Sequence, residues 1–161
     1  MKPLLALTAF FLCAAAGWRK SLMLSQRKKL LSELSAMLVG FSLGIRCTAA
    51  TLDELCDRAQ GRFAQLLGSC REECPDIRSA WEAACDRLSA QPLFAEEAAL
   101  LREFGAKLGS TDAAGQLALI ELYGGRLAER EKSAADELSK KEKLYRSVGA
   151  LCGLGAAIII I

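Results

Sequence analysis

Two uncharged apolar segments, one at each end, constrain this chain more than any other feature. Leu4 to Trp18 and Ser147 to Ile161 are each 15 residues long, and every charge except that of Lys2 lies between Arg19 and Arg146. As α-helices they would each span about 23 Å, less than the ~30 Å hydrocarbon core of a bilayer. Long flanking side chains and local thinning of the bilayer can supply the missing length. We therefore predict transmembrane helices at residues 1–18 and 147–161, around a domain of residues 19–146.

The N-terminal segment has a second interpretation. Trp18 followed at once by Arg19 is typical of the end of a membrane span, where an aromatic residue lies at the interface and a cation follows. Lys2, the apolar run and the small residues Ala14 to Ala16 equally fit a cleaved signal peptide. The sequence of this segment alone leaves both possibilities open.

The charges next to the two apolar segments predict the topology. Residues 19–29 contain five cations and no acid, and residues 140–146 contain four cations and one acid. By the positive-inside rule, the central domain faces the cytoplasm and both termini lie on the other side. Residues 30–139 contain 11 basic and 18 acidic residues, a net charge of −7 that suits a basic protein partner or a merely soluble surface.

The periodicity of the central region predicts an all-α helical bundle. Apolar residues recur at helical spacing in four stretches, and Thr51 with Glu54 has the spacing of a capping box that opens the second, from Leu52 to Leu67. Ser110 or Thr111 is expected to cap a fifth helix. Because no proline follows Asp112, this last helix should be long and run into the membrane. The repeating apolar positions of the first stretch are Leu30, Leu31, Leu34, Met37, Leu38, Phe41 and Ile45.

The sequence offers little support for an enzyme. It has no histidine, so a His-dependent triad or a His-bearing zinc site is impossible. The seven cysteines are scattered without a C-x-x-C pair, and no phosphate loop is present. We expect no catalytic residues, no cofactor, no bound metal, no small-molecule substrate and no nucleic-acid partner. A membrane-bound redox protein that uses the cysteines is the remaining enzymatic alternative.

Two groups of residues are candidates for packing and interaction. Leu108, Gly109, Asp112 and Gln116 form the predicted turn before the last helix: Gly109 can adopt a left-handed conformation, and Asp112 can accept from free N–H groups. The turn is either an interaction motif or only a corner between two helices. Gly149, Gly153 and Ala157 are spaced four apart, which suits close helix packing in lipid, although small residues are common in any membrane helix.

Two longer patterns carry a resemblance to a known family. One is Leu101-Arg-Glu-Phe-Gly-Ala-Lys-Leu-Gly-Ser-Thr-Asp-Ala-Ala-Gly-Gln116, and the other runs from Glu137 through Tyr145-Arg146 into the terminal segment. With Ala80-Trp81 and an N-terminal span ending in Gly17-Trp18, the chain resembles the stage III sporulation protein AB family over essentially its whole length. It departs from the family pattern near residues 44–52, where an acid, an aromatic residue and a proline are missing.

The resemblance implies a membrane platform for a sporulation channel between mother cell and forespore. Such proteins are located in the outer forespore membrane, and their cytoplasmic domain is similar to the F component of type II secretion machines. The implied partners are a secretion-type ATPase (stage III sporulation protein AA) and other channel proteins, and self-association into a homo-oligomer is left open. The alternative is a secreted or cell-surface helical adaptor with a cleaved signal peptide and a C-terminal tail anchor.

Overall fold

A computed structural model describes the secondary structure of residues 2–48, 50–74 and 76–160, and the side chains of residues 22–48, 50–74 and 76–141. All regular secondary structure in these residues is helical, which confirms the all-α prediction. Arg27–Glu131 forms one compact unit, and Met1–Gln26 with Lys132–Ile161 forms a second. The elements are α1 (Lys2–Thr48), α2 (Leu52–Arg58), α3 (Arg62–Glu73), α4 (Ile77–Ser89), a 3-10 turn (Pro92–Phe94), α5 (Ala95–Lys107) and α6 (Ala113–Ile160).

Helix α1 is continuous over 47 residues. Residues 19–29 contain neither glycine nor proline, so nothing there interrupts the helix between the apolar end and the domain. Its predicted apolar face is confirmed from Leu30 to Phe41, where all six apolar positions of the repeat are buried, whereas Ile45 is only half-buried.

One segment in the described part of the chain, Leu22–Thr48, is long and apolar enough to cross a membrane, with a mean hydropathy of 1.4. Its most apolar window is 33% buried inside the protein, because the same residues supply one face of the domain core. The predicted spans at residues 1–18 and 147–161 lie outside the residues whose side chains the structure describes, so they stay predictions.

The single helix expected from Leu52 to Leu67 is wrong, because two helices occupy this stretch. Helix α2 begins with the predicted capping box: Thr51 Oγ1 accepts from the N–H of Glu54 at 3.4 Å, and the N–H of Thr51 donates to the Glu54 carboxylate at 3.3 Å. The break follows Ala59, whose backbone is extended, and includes Gly61 at φ 105°. This φ lies in the region that glycine adopts far more readily than other residues.

The N-terminus of α3 is capped by a side chain of another helix. Gly61 offers no side chain, and the carboxylate of Glu33 on α1 accepts from the N–H of Arg62 at 2.8 Å. An acid at a helix N-terminus also interacts favourably with the helix dipole. Helix α4 is capped locally, since Asp76 accepts from the N–H of Ser79 at 3.0 Å and from its hydroxyl at 2.9 Å.

Four aromatic side chains connect α3, α4, α5 and α6 through the core. The ring centroids of Phe63 and Trp81 are 4.9 Å apart, those of Trp81 and Phe104 5.9 Å, and those of Phe104 and Tyr123 5.3 Å. All four are at most 3% exposed. Trp81, at the centre, therefore contacts rings from two neighbouring helices in tilted or edge-on geometry, which favours aromatic pairs.

Trp81 lies directly against the backbone of α5. Its indole N–H donates to the carbonyl of Leu101 at 2.9 Å in a buried position. A Cβ atom placed on Gly105 would lie only 2.3 Å from the indole Cδ1 and Nε1 atoms. In an α-helix the N–H of residue 105 points at the carbonyl of residue 101, so the two residues are neighbours on one face. A side chain at position 105 would therefore block the approach of the indole to the Leu101 carbonyl.

Helix α6 is 48 residues long, which confirms the prediction of a long, proline-free last helix. The predicted cap at Ser110 or Thr111 is wrong. Asp112 Oδ1 accepts from the N–H of Gly115 at 2.9 Å, the three-residue spacing of an N-cap. Ser110 instead donates to the carbonyl of Lys107 at 2.6 Å, and Thr111 binds the side chain of Gln116.

Candidate functional site

The corner between α5 and α6 contains the four residues singled out in the domain. Helix α5 ends as the N–H of Leu108 donates to the carbonyl of Phe104 at 3.0 Å. Gly109 follows at φ 78°, in the left-handed region that favours glycine. Leu108 is buried at 5% exposure, and Gly109 is exposed. The chain therefore turns at Gly109 while its neighbour is anchored in the core.

The side chain of Gln116 closes this corner. Its Oε1 accepts from the N–H of Gly109 at 3.1 Å, and its Nε2 donates to Thr111 Oγ1 at 2.9 Å. Gln116 is only 8% exposed, and a buried amide needs such partners. Asp112 is exposed and caps α6 from the outside. Gln116 and Asp112 thus fix the direction in which α6 leaves the corner.

A cleft of about 230 Å³ opens beside the corner. It is mostly apolar and brings together the end of α1, the start of α2 and the corner. Its lining residues are Ile45, Ala50, Leu52, Leu55, Leu108, Gly109, Ala113 and Gln116. The four predicted corner residues are thus close together: three line one cleft, and Asp112 lies next to it in the chain.

A cluster of ionic side chains at the other end of α5 was not predicted from the sequence. Arg27 Nε donates to Glu97 Oε1 at 2.8 Å, and Arg27 Nη2 to Glu96 Oε2 at 2.7 Å. Arg130 on α6 approaches the same Glu96 oxygen at 3.8 Å. Arg27 and Arg130 lie at the two places where α1 and α6 leave the compact unit. The first turn of α5 therefore forms ion pairs with both long helices.

Burial of Glu97 makes this cluster more than a surface contact. Glu97 is 0% exposed, and its Oε2 atom has no hydrogen-bond partner among the described residues. Burial tends to lower the pKa of Arg27, but its hydrogen bonds and charge attraction to Glu97 and Glu96 outweigh this and raise the pKa. Removing the arginine would leave a buried carboxylate uncompensated, which is costly.

A sequence signal for Glu97 did exist. Phe94, Leu101 and Phe104 are buried, and position 97 is three residues after the first and four before the second. An acid at a core position of a helix requires a cationic partner. Its partner Arg27 is 70 residues away, and no local pattern connects the two positions.

The described thiols, Cys47, Cys56, Cys70, Cys74 and Cys85, are free, and burial protects most of them. Burial raises the pKa of Cys56 to about 12 and that of Cys85 to about 12. A thiol reacts as its thiolate, so both are poor nucleophiles at neutral pH. Cys47 is exposed.

A family model described as stage III sporulation protein AB matches residues 2–161. The chain belongs to this family. The match covers essentially the whole chain, so the resemblance drawn from the residues is confirmed, and this member of the stage III sporulation protein AB family is a sporulation-related protein. Searches of curated proteins and of solved structures found no match.

In this sporulation protein, the second group of predicted residues remains untested. Gly149, Gly153 and Ala157 lie in the part of α6 whose side chains are outside the described residues. Their role in membrane packing stays a prediction. The corner and the ionic cluster are the two features that the described residues of the domain present at opposite ends of α5.

Proposed function

We propose that this chain is the membrane platform of a secretion-like sporulation channel between mother cell and forespore. In this proposal residues 1–18 and 147–161 span the outer forespore membrane, with both termini outside. Residues 19–146 face the mother-cell cytoplasm, where they bind a secretion-type ATPase (stage III sporulation protein AA) and other channel proteins. The protein couples this ATPase to the membrane complex and carries out no chemistry itself.

The observation that carries the proposal is the continuity of the two long helices. Helix α1 connects an uncharged apolar end to a core face of the domain, and α6 connects the corner to the other uncharged end. The cationic residues 19–29 and 140–146 favour a cytoplasmic domain and suit anionic lipid headgroups. A platform needs such helices, because force or displacement at the domain must reach the membrane.

The ionic cluster supports a coupling role. Arg27 and Arg130 attach both long helices to the same turn of α5, and a 13-residue α-helix, about 20 Å long, separates this turn from the corner. A partner that binds at the corner would therefore act on an element that contacts both helices. We assign the corner and its apolar cleft as the contact site for the ATPase.

Cysteine accessibility tests the topology. Cys47 is exposed and Cys74 half-buried, so single-cysteine variants retaining either one report on the side of the domain. A membrane-impermeant maleimide should label them only after the cells are permeabilised. Labelling in intact cells would contradict the cytoplasmic location and favour the secreted-adaptor alternative. Cys85, which is fully buried, serves as the negative control.

Binding to the purified ATPase tests the partner. The full chain is reconstituted in nanodiscs and titrated with ATPase, with empty nanodiscs as the blank. Gln116→Leu removes the acceptor for the Gly109 N–H and should weaken binding. Gln65→Leu, at an exposed position of α3, is the matched control and should bind like the wild type. Absence of wild-type binding at high micromolar ATPase would refute the platform model, and equal binding by both variants would exclude the corner.

A further inference from the structure

Three large apolar side chains within Arg27–Glu131 remain more than half exposed. They are Val39 at 59%, Leu43 at 54% and Leu122 at 53%. Val39 and Leu43 lie on α1, and Leu122 lies on α6. Isolated exposed apolar residues such as Val39 are ordinary, but Leu43 and Leu122 each belong to a larger apolar surface.

The first surface is a groove of about 510 Å³ between the second half of α1 and α2. Residues 34–45 of α1 carry no charge, so the floor of the groove is apolar. Arg58 lines its edge, and Arg46 adjoins the lining residue Cys47 in the chain. Neither arginine forms an ion pair with another described residue, so the rim carries uncompensated positive charge.

The second surface is an exposed face of α6. Ala118, Leu122 and Gly125 follow helical spacing and are all exposed, so they form an apolar strip with one large side chain. Glu121 and Glu129 are exposed on the same side of the helix, and neither is ion-paired within the described part of the chain. This face is therefore an apolar strip bordered by two unpaired carboxylates, whereas Arg126 on its other edge is paired with Glu103 at 3.5 Å.

We propose that the α1 groove of one copy binds the α6 face of a second copy of this chain. Both surfaces are apolar at their centres, because Leu122 is the one large side chain of the strip and the floor of the groove carries no charge. They complement each other in charge, because the groove has cationic edges and the α6 face has acidic ones. A helix laid into an apolar groove is an established mode of protein recognition, and opposite rim charges set its register.

Glycines in both surfaces allow this contact to be blocked without disturbing the fold. A Cβ atom on Gly40 or Gly125 would meet nothing within 4 Å. Leucine is also a better helix former than glycine. Gly40→Leu and Gly125→Leu should therefore fold normally and still fill the space needed by the second copy. Gly68→Leu, on α3 and equally open, is the matched control.

Light scattering of the full chain in a mild non-ionic detergent measures the association. The wild-type mass should rise with concentration to at least two chains, and Gly68→Leu should behave identically. Gly40→Leu and Gly125→Leu should weaken association at least about tenfold, equivalent to about 1.4 kcal/mol. A wild-type chain that remains monomeric up to high micromolar concentration would overturn the proposal, as would Gly40→Leu or Gly125→Leu associating like the wild type.

Charge reversal tests the pairing of the rims. Glu129→Arg should weaken association, and Arg58→Glu in the same chain should restore it, because the two charges are exchanged. Failure of Arg58→Glu to restore association would argue against this register.

Cross-linking distinguishes the proposed contact from a symmetric one between two α1 helices. Two variants are prepared, and in both of them Cys13, Cys74 and Cys152 are replaced by serine. The first variant retains Cys47. The second carries Cys47→Ser together with Ala118→Cys. A short bis-maleimide should join the two chains when they are mixed and neither chain to itself. Self-linking of the Cys47 chain would indicate an α1–α1 contact and overturn the proposal, as would the absence of the mixed product.

Discussion

Substitution of Gly105 by alanine should destabilise the domain strongly, although alanine is normally preferred in a helix. The added Cβ would lie 2.3 Å from two indole atoms of Trp81, roughly 1 Å closer than an ordinary contact. The indole can move into the adjoining cleft of about 240 Å³, but it then loses its hydrogen bond to the Leu101 carbonyl. The alanine at position 105 would therefore press the indole against its neighbours in the core and break a buried hydrogen bond.

The magnitude follows from three contributions. Overpacking costs about 1–3 kcal/mol, a broken buried hydrogen bond costs about 1–3 kcal/mol, and the better helix propensity of alanine returns about 1 kcal/mol. We expect a net loss of about 1–5 kcal/mol, a large part of the ~5–15 kcal/mol typical of a domain. A Cβ atom at position 68 would meet nothing within 4 Å, so Gly68→Ala should instead stabilise the domain by about 0.5–1 kcal/mol.

Urea unfolding of the full chain in a mild detergent measures both effects. The chain has two tryptophans, so Trp18→Phe leaves Trp81 as the sole fluorescent reporter of its own site. The Gly105→Ala midpoint should fall by about 1–2 M urea. In a Trp81→Leu background, followed by circular dichroism, the same substitution should cost little. A Gly105→Ala protein as stable as wild type, or an equal cost without the indole, would refute the packing argument.

Three further predictions concern single groups. Cys47 is exposed, whereas burial raises the pKa of Cys85 to about 12. Cys47 should therefore react with maleimide at least about 100-fold faster than Cys85, as measured by mass spectrometry. This difference in rate should vanish in denaturant. Hydrogen bonds lower the pKa of Asp76 in the folded protein. The stability that Asp76 contributes is therefore fully present above its unfolded-state pKa and is lost as the pH falls through its folded-state pKa. Asp76→Ala should therefore lower the melting temperature at pH 7 and not at about pH 2; an equal deficit at both pH values would contradict this. Glu33→Ala removes the cap of α3 and should lower the free energy of unfolding by about 1 kcal/mol, measured by thermal unfolding. Glu72→Ala, on the exposed side of that helix, should leave the stability nearly unchanged. Equal effects of the two substitutions would exclude the cap.

Local chemistry made much of this fold predictable from the sequence. The capping box at Thr51, the apolar face from Leu30 to Phe41 and the left-handed Gly109 all depend on residues a few positions apart. The break at Gly61 was missed because apolar spacing continues across it from Leu55 to Phe63. Periodicity shows which residues are buried, but not whether one helix or two present them.

The parts that could not be predicted depend on pairing between distant residues. Arg27 and Glu97 are 70 positions apart, and Glu33 caps a helix 29 positions away. The sequence places Glu97 at a core position of its helix, but Arg27 and Glu33 look like ordinary charged residues. Only the packing of α1 against later helices gives these charges their partners, so a single sequence contains no local signal for the connection.

The amphipathic second half of α1 has a consequence for biosynthesis. Leu22–Thr48 leaves the ribosome before the helices that cover its core face, and during that interval its apolar side chains have no partner within the domain. By length and composition this segment is also apolar enough to cross a membrane. In the proposed topology, with residues 19–146 in the cytoplasm, the domain must therefore cover this helix before it is accepted as a span. Glu33 and Arg46, which border its uncharged stretch, are the charges that oppose premature insertion.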